Sequence, residues 1–382
     1  MLLTMKRNLP LLFLFATMSA VLAAVDVQRL PDGAMQPLAV TDDGGTVHLV
    51  WLQGEPKACD VFYQKLPGGR TNGTAPVRIN HHPGSAIGIG TIRGAQLAVG
   101  RNGRVHVVWN GSSQAEPKPV AGAPLLYSRL NDSGTAFEPE RNLMGQTALL
   151  DGGASVAADR SGNVYVVWHA APAAGQEGEP ERRVFLARSL DDGWSFQSEK
   201  SISLTNGVCG CCALRAFTDR AGRLLVLYRA ATTLTDRHMT LLSSTDQGAA
   251  FSQILADPWI IGSCPMSSAS LVDSPQGVFA AWETKGKIQT TAVLPELREP
   301  FPETPVSMGD RAKHPALAVN SRGEVLCAWA EGTGWQKGGS VVWRSLDAKG
   351  KPAGEATMQS GLPVWSFPAA FAREDGQFVV VF

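Results

Sequence analysis

The sequence has few charged residues and no excess of either sign. Only 18% of the 382 residues are charged, and Lys plus Arg equals Asp plus Glu at 34 each. No run of basic residues occurs. Binding to nucleic acid or to an anionic membrane surface depends on a positive field, so we expect neither as a partner.

No long apolar stretch follows the N-terminal region. The one apolar run there, residues 9–21, comes after Lys6 and Arg7 and is followed by small residues. Such a run is short for a membrane span, and the arrangement is typical of a signal peptide. We predict a signal peptide over residues 1–23 and one periplasmic or secreted domain, without a membrane span, over residues 24–382. An uncleaved anchor is the alternative.

Long helices are not expected, because the sequence contains 40 Gly and 24 Pro. These residues favour tight turns between short strands. One unit recurs, as in "QLAVGRNGRVHVVW": an apolar strand, a turn ending in Gly, and an apolar strand ending in an aromatic residue. The aromatic residues lie 47 to 60 positions apart, at Trp51, Trp109, Trp168, Tyr228, Trp282, Trp329 and Phe382.

Each unit is interpreted as a β-hairpin with Gly at the turn. A lone hairpin cannot bury its apolar face, whereas a closed ring of hairpins can. We predict an all-β protein, a β-propeller of four-stranded antiparallel blades, with the recurring aromatic residues packed between blades. Seven hairpins indicate seven blades, with "VDVQRL" near the N-terminus closing the ring. Six blades are the alternative, if one terminal hairpin stays outside.

Two successive units carry the pattern S-x-D-x-G-x-x-F. The aspartate of such a turn accepts backbone N–H bonds, the glycine permits the bend, and the aromatic residue points inward. A third unit keeps the aspartate, glycine and phenylalanine but lacks the serine. The residues are Ser189, Asp191, Gly193 and Phe196, then Ser244, Asp246, Gly248 and Phe251, and in the incomplete copy Asp132, Gly134 and Phe137.

These motifs resemble the Asp boxes, or BNR repeats, of the sialidase superfamily of β-propellers, and the resemblance covers nearly all of the chain after residue 23. The boxes of that family lie on the rim and take no part in chemistry. For an active sialidase the resemblance implies three arginines that hold a sugar carboxylate. It also implies a tyrosine–glutamate pair as nucleophile and an aspartate as acid/base.

The sequence departs from the sialidase pattern at two points. Gln36 stands where the first arginine is expected, and none of the four tyrosines lies in a late blade. We therefore expect little or no sialidase activity. In a rearranged hydrolase, Arg93, Arg215 and Arg311 are the candidate clamp and Asp151 is the candidate acid/base.

The repeat also predicts which residues surround the central axis. Propeller ligands usually bind where the innermost strands begin, about 15 to 18 residues before each recurring aromatic here. Polar and sulfur-containing residues recur at that point, although ordinary loop residues that happen to align are an alternative. The residues expected to bind a ligand are Gln36, Arg93, Asp151, Met266, Lys313 and His314.

Four of the six cysteines share one register position on two adjacent units. "VCGCC" contributes Cys209, Cys211 and Cys212, and "GSCPM" contributes Cys264. In an oxidising compartment the first expectation is a disulfide from Cys264 to the triplet. The alternative is a copper(I) or zinc site that also uses Met266 and His314. No other cofactor is expected. The C-x-C-C and G-x-C-P segments are similar to those of exported bacterial sialidase-like propellers.

Three functions follow from these observations. The first is a non-catalytic exported propeller that binds a glycan, a small ligand or a periplasmic protein at its central funnel. The second is a glycoside hydrolase of the exo-α-sialidase type, and the third is a metal- or redox-linked periplasmic protein. The missing arginine and tyrosine favour the first over the second, and the state of the cysteines separates the first from the third.

Overall fold

The chain folds into strands joined by tight turns. The computed structural model describes residues 24–70, 72–119, 121–172, 178–205, 207–294 and 303–382, and the predicted signal peptide lies outside these ranges. The only helices in this part of the chain are one-turn 3-10 helices at Pro67–Gly69, Arg101–Gly103 and Glu179–Glu181. None of them is long or apolar enough to cross a membrane.

The strands form seven separate sheets, each of which is one blade. The first described strand, β1 (Val25–Gln28), belongs to the last blade. Blade 1 consists of β2 (Ala34–Thr41), β3 (Val47–Glu55), β4 (Ala58–Leu66) and β5 (Val77–Arg78). Blade 2 consists of β6 (Gln96–Val99), β7 (Val105–Asn110), β8 (Leu125–Arg129) and β9 (Arg141–Asn142). Blade 3 consists of β10 (Thr147–Ala148), β11 (Ser155–Ala158), β12 (Val164–Pro172), β13 (Arg183–Ser189) and β14 (Lys200–Ser201).

The later blades repeat the arrangement. Blade 4 consists of β15 (Arg215–Thr218), β16 (Leu224–Arg229), β17 (Met239–Ser244) and β18 (Ser252–Asp257). Blade 5 consists of β19 (Ala269–Ser274), β20 (Gly277–Thr284), β21 (Lys287–Val293) and β22 (Thr304–Pro305). Blade 6 consists of β23 (Ala312–Val319), β24 (Val325–Glu331), β25 (Gly339–Leu346) and β26 (Thr357–Leu362). Blade 7 consists of β27 (Ala369–Ala372), β28 (Phe378–Val381) and β1.

The innermost strands stand side by side around one axis. Each inner strand contacts the next one around the ring, and the last contacts the first. The order is β2, β6, β11, β15, β19, β23, β27 and again β2. Strand β1 pairs with β28 in parallel, with Val25 opposite Phe378, so the first and last described strands close the ring. The prediction of seven blades, rather than six, is confirmed. Among the described residues, two blades differ from the four-stranded pattern: blade 3 has five strands and blade 7 has three.

The recurring aromatic residues are buried between blades. Trp109 of blade 2 packs with Met35 and Val61 of blade 1, and Trp329 of blade 6 packs with Phe279 of blade 5. Truncation of such a buried tryptophan to alanine typically costs about 3–5 kcal/mol. The periodic aromatic is therefore a packing residue that joins each blade to the preceding one, as the sequence predicts.

The turn between β13 and β14 closes on its own aspartate. The amide of Ser195 donates to Asp191 at 2.9 Å, and the Ser189 hydroxyl donates to it at 2.7 Å. The same hydroxyl accepts the amide of Gly193 at 2.9 Å. Burial raises the pKa of Asp191, but the hydrogen bonds from Ser195 and Ser189 together outweigh it and lower the pKa to about 2.

The turn between β17 and β18 repeats these bonds. The amide of Ala250 donates to Asp246 at 3.0 Å and the Ser244 hydroxyl donates to it at 2.7 Å. The phenylalanines of the two turns point inward: Phe196 meets Tyr127 of blade 2 edge to face, and Phe251 packs against the core shared by blades 3 and 4. Both full motifs are thus rim turns.

The incomplete copy of this turn works differently from the prediction. Asp132 does not close it, because its exposed carboxylate is paired with Arg104 at 2.5 Å. Asn131 takes the closing role and accepts the amide of Thr135 at 3.0 Å. Gly134 still supplies positive φ, and Phe137 is still buried. The turn has moved one residue toward the N-terminus relative to the other two.

Candidate functional site

One end of the ring gathers two sets of segments. Neighbouring strands of an antiparallel blade run in opposite directions. The start of the first strand and the loop that joins the second strand to the third therefore lie at the same end of the blade. The starts of the inner strands and the loops between second and third strands therefore share this end, which we call the central face. The aspartate turns, between third and fourth strands, lie at the opposite end.

Four inner strands have a residue in the left-handed conformation near their start, either within the first three residues or in the segment just before the strand. The φ angles are +54° at Gln36, +50° at Met266, +53° at His314 and +63° at Trp365. A residue with a side chain adopts this conformation at a cost of about 1–2 kcal/mol. At Gln36 and His314 it coincides with a shift in pairing register with the next strand. These kinks set the direction of the side chains around the axis.

Gln36 is a structural residue of the central face. Its side chain is completely buried, and its Nε2 donates to the carbonyls of Gly88 and Gly90 at 2.6 and 2.7 Å. Its own amide donates to the hydroxyl of Ser366 at 3.2 Å. The expectation that Gln36 contacts a ligand does not agree with this burial. Instead, Gln36 fixes the segment between blades 1 and 2 against the axis.

Arg93 and Asp151 form an ion pair at the central face. The guanidinium donates to the Asp151 carboxylate at 2.5 Å and to the Asp151 carbonyl at 2.8 Å. A third bond reaches the carbonyl of Ile89 at 2.7 Å. The Asp151 side chain remains 40% exposed and that of Arg93 19%. The structure brings these two predicted residues together, and each neutralises the other.

A second arginine approaches Asp151 beside Gly210. A Cβ atom on Gly210 would lie 3.3 Å from the Asp151 carboxylate and 3.1 Å from the Arg182 guanidinium. The absence of a side chain at Gly210 therefore leaves room for both groups. Sequence reasoning missed Arg182, since it lies in the loop before β13 and not at the start of an inner strand.

The other two arginines of the candidate clamp do not join Arg93. Arg215 of blade 4 donates to the side chain of Gln96 of blade 2, two blades away, and burial lowers its pKa to about 10. Arg311 is exposed, and its side chain has no hydrogen bond or ion pair with any described residue. The expected three-arginine clamp is not assembled.

The tyrosines lie inside the blades. Tyr63 shares a hydrogen bond with His48 and Tyr127 with His106, at 2.7 and 2.8 Å. Burial raises the pKa of every tyrosine, that of Tyr228 to about 12. A buried phenol that resists ionisation and does not face the funnel is a poor nucleophile.

Glu283 is a buried carboxyl group under the central face, near the half-buried Lys313. Glu283 is 2% exposed, and its Oε2 has no hydrogen-bond partner among the described atoms. Burial raises its pKa to about 7, against the attraction of Lys313 and Arg229. The Lys313 ammonium donates to the carbonyl of Pro265. Lys313, half-buried, holds the start of blade 5 and lies near Glu283.

His314 differs from its expected role as a ligand-binding residue. It is 1% exposed, its Nδ1 lies 3.2 Å from the Ser268 hydroxyl, and its ring stacks on Phe367. Burial lowers its pKa to about 3. His314 is therefore neutral and joins blades 5, 6 and 7 beneath the surface.

The cysteines of the two adjacent blades converge. Cys209 Sγ lies 3.4 Å from Cys211 Sγ and 3.5 Å from Cys212 Sγ. The ligand atoms of Cys211, Cys264 and Glu179 also lie within 4.8 Å of one another. All of these cysteines are thiols in the structure, so the disulfide to Cys264 stays a prediction. We call the four cysteines and Glu179 the cysteine cluster.

Two side chains that were assigned to the same metal site do not lie in the cysteine cluster. The Nδ1 of His314 faces Ser268, and among the described residues His314 does not group with the cysteine sulfurs as a potential metal ligand. The Met266 methyl group lies beside Gly90, across the axis. Glu179 lies beside Cys211 and Cys264 instead. It was missed because its loop, before β13, belongs to blade 3.

An aromatic patch lies beside the ion pair at the central face. Trp335 and Trp365 meet edge to face with centroids 4.6 Å apart, and Trp335 is 62% exposed. A Cβ atom on Gly90 would stand 3.9 Å from Trp335, 3.5 Å from the Met266 methyl group and 3.6 Å from Arg93 Nη1. The indole, thioether and guanidinium therefore surround one point. The only sequence signal for Trp335 is that it is a single aromatic residue in a Gly-rich loop.

Comparisons with known proteins identify the fold. No protein-family model and no curated protein matches the sequence. Among solved structures, a Dyadobacter fermentans protein of unknown function has a TM-score of 0.54 at 14% identity, covering 88% of this chain and 96% of that one. A Penicillium chrysogenum α-L-arabinanase, complexed with arabinobiose, has a TM-score of 0.55 at 14% identity, covering 84% and 95%.

A sialidase is also similar. The leech intramolecular trans-sialidase, complexed with 2,7-anhydro-Neu5Ac, has a TM-score of 0.51 at 10% identity, covering 87% of this chain and 79% of that one. At such identities the likeness extends to the fold alone. The chain has the fold of a sialidase-like β-propeller.

Proposed function

We propose that the protein is a non-catalytic, exported propeller that binds a neutral carbohydrate at its central face. The observation that carries the proposal is the exposed Trp335, which packs on the half-buried Trp365 beside an arginine that is already neutralised. An indole face offers a large apolar surface to the C–H face of a sugar ring, and its N–H can bond to a hydroxyl. Exposed apolar surface of this kind marks binding sites.

The charge balance favours a neutral sugar over an acidic one. Recognition of a sugar carboxylate needs arginines whose donors are free, but Arg93 spends its donors on Asp151 and on the carbonyl of Ile89. Arg215 is occupied by Gln96, and Arg311 lies apart. The arabinanase with a similar fold was solved with arabinobiose, a neutral sugar, which supports the same choice.

The absence of catalysis rests on the same geometry. A retaining glycosidase needs one nucleophile and one acid/base group on either side of the glycosidic bond that is cleaved. The two groups lie about 5–5.5 Å apart. Asp151 is held in an ion pair, and the described tyrosines lie inside the blades. Export is proposed from the N-terminal sequence, and a periplasmic or secreted location suits a protein that meets carbohydrate.

The test is calorimetric titration with arabinobiose and with sialyllactose, using the wild-type protein and Trp335→Ala. We expect arabinobiose to bind, sialyllactose to bind more weakly, and Trp335→Ala to weaken arabinobiose binding about tenfold, which corresponds to about 1.4 kcal/mol. Trp194→Ala is the matched control, because Trp194 is 64% exposed but lies in an aspartate turn at the opposite end. Equal loss in both variants, or no binding of any sugar on a glycan array, would refute the proposal.

A fluorogenic sialoside gives the complementary assay. We expect no turnover by the wild-type protein. Turnover that disappears in Arg93→Ala and in Asp151→Ala would show that the ion pair opens for substrate, and the hydrolase interpretation would then replace the binding one.

A further inference from the structure

The cysteine cluster has the dimensions of a metal site. Three sulfur atoms lie together at the start of blade 4, with Cys209 at 3.4 and 3.5 Å from Cys211 and Cys212. All three sulfurs fall within 4.8 Å of one another. Sulfur ligands at about 2.3 Å from a tetrahedral ion are separated from each other by about 3.8 Å. A disulfide, in contrast, joins two sulfurs at about 2.05 Å and leaves the third unused.

The backbone that carries these cysteines is held from several sides. The amide of Cys209 donates to the carbonyl of Arg229 at 2.9 Å. His169 Nε2 lies 2.9 Å from the carbonyl of Cys212. Cys209 and Cys212 are buried, whereas Cys211 is partly exposed. These backbone contacts position the three thiols, with Cys211 on the side from which an ion can enter.

A fourth ligand is available on the exposed side. The Glu179 carboxylate is oriented by the amide of Gly210 at 3.0 Å and by the Arg237 guanidinium at 2.7 Å. Its oxygen and the sulfur of Cys264 both lie within 4.8 Å of Cys211 Sγ. Such outer contacts orient ligating side chains in metal sites. Arg237 and Arg229 also supply positive charge, which stabilises a group of thiolates.

We propose that Cys209, Cys211 and Cys212 bind a thiophilic closed-shell cation, Cu⁺ or Zn²⁺, with Cys264 or Glu179 as the fourth ligand. Sulfur ligands select these two ions over Mg²⁺ and Ca²⁺. Binding replaces thiol protons, which are released to solvent, and it involves no electron transfer. The site lies on blades 3, 4 and 5, apart from the aromatic patch, so its failure and that of the carbohydrate proposal are distinguishable.

The test starts from the reduced, metal-free protein under anaerobic conditions. Zn²⁺ and Cu⁺ are added separately, each against a chromophoric chelator, and bound metal per chain is measured after gel filtration. We expect one ion per chain with sulfur in its first shell by X-ray absorption, and the ion that resists the stronger competitor is the resident one. Reduced protein that retains neither ion would overturn the proposal.

Two variants locate the ion. Cys211→Ser changes the partly exposed cysteine of the three and should lower the affinity of the protein for the ion by about 100-fold or more. Cys327→Ala is the matched control, because Cys327 is buried in β24 and belongs to no metal-binding group among the described residues. Circular dichroism and Tm establish that both are folded. Unchanged affinity in Cys211→Ser, or equal loss in both variants, would contradict the assignment.

A measurement on the wild-type protein needs no variant. Saturating metal should slow alkylation of Cys211 by iodoacetamide, followed by peptide mass spectrometry, whereas an unchanged rate would contradict binding there. Peptides mapped without reduction test the competing disulfide. If Cys264 forms a disulfide and the protein binds no metal even after reduction, the disulfide replaces the metal site as the explanation of the cysteine cluster. If the protein carries the ion and the thiols of the cysteine cluster are free, the metal site is supported.

Discussion

At the scale of single residues, the most informative group is the carboxyl of Glu283. It is buried, its Oε2 has no partner among the described atoms, and burial raises its pKa from 4.5 to about 7. The folded state therefore holds this proton more tightly than the unfolded chain does. The stabilising contribution is complete below pH 4.5 and is lost as the pH rises through 7.

We expect Glu283→Gln to remove this loss of folding stability at high pH, because glutamine does not ionise. A pKa difference of about 2.5 units corresponds to about 3 kcal/mol, so the variant should gain stability relative to wild type between pH 5 and pH 8. Urea unfolding at the two pH values measures it, with Glu355→Gln as the control at an exposed glutamate. His314, whose pKa is lowered by burial, destabilises both proteins equally as the pH falls below 6.5. Parallel pH profiles of wild type and variant would contradict the expectation.

The candidate site could be predicted residue by residue only in part. Counting back from each aromatic correctly placed Arg93 and Asp151 at the central face, because that count follows the strand repeat. It did not show that the two neutralise each other, since pairing depends on how adjacent blades are set. It also failed for Gln36 and His314, which kinked backbones direct inward.

At the scale of single elements, the aspartate turns give a prediction about stability alone. Asp191→Ala removes an acceptor of the Ser195 amide, the Ser195 hydroxyl and the Ser189 hydroxyl. Because Asp191 and Ser195 are themselves exposed, we expect a loss of about 1 kcal/mol. Asp246→Ala should act in the same direction but less, since Ala250 replaces the second hydroxyl donor. Thermal unfolding of both variants measures the losses.

The same variants should leave sugar and metal binding unchanged, because the turns lie at the opposite end from the central face. A loss of either binding activity at unaltered Tm would contradict a purely structural role. Sequence reasoning worked for these turns where serine, aspartate and glycine all occur. It misassigned Asp132, since the pattern was matched letter by letter and Asn131 offers the same acceptor one position earlier.

At the scale of the whole molecule, the repeat predicted the ring because each blade contributes one inner hairpin with the same turn and aromatic. The outer strands could not be predicted as reliably. Strands β5, β9, β14 and β22 have two residues each, which is too few for an alternating pattern. Closure by the N-terminal segment was predictable, since the seventh hairpin otherwise lacks an outer partner.

Closure of the ring by β1 has a testable consequence for stability. Strand β1 covers the edge of β28 along its whole length, from Val25 opposite Phe378 to Gln28 opposite Val381. Val27 packs against the core between blades 6 and 7. Replacing Val27 with aspartate places a charge in this partly buried position, and we expect a loss of about 2 kcal/mol.

The Val27→Asp variant should also expose the edge of β28, and an open sheet edge promotes association between chains. Calorimetry should therefore show a lower Tm with concentration-dependent aggregation, and hydrogen exchange should be faster at Phe378 and Phe382, whose amides donate to Ala24 and Gln28. Met358→Asp is the matched control, because Met358 is 64% exposed on an outer strand of blade 6. If Val27→Asp behaves like this control, the ring does not depend on β1, and the contacts between β27 and its neighbours β2 and β23 suffice to close it.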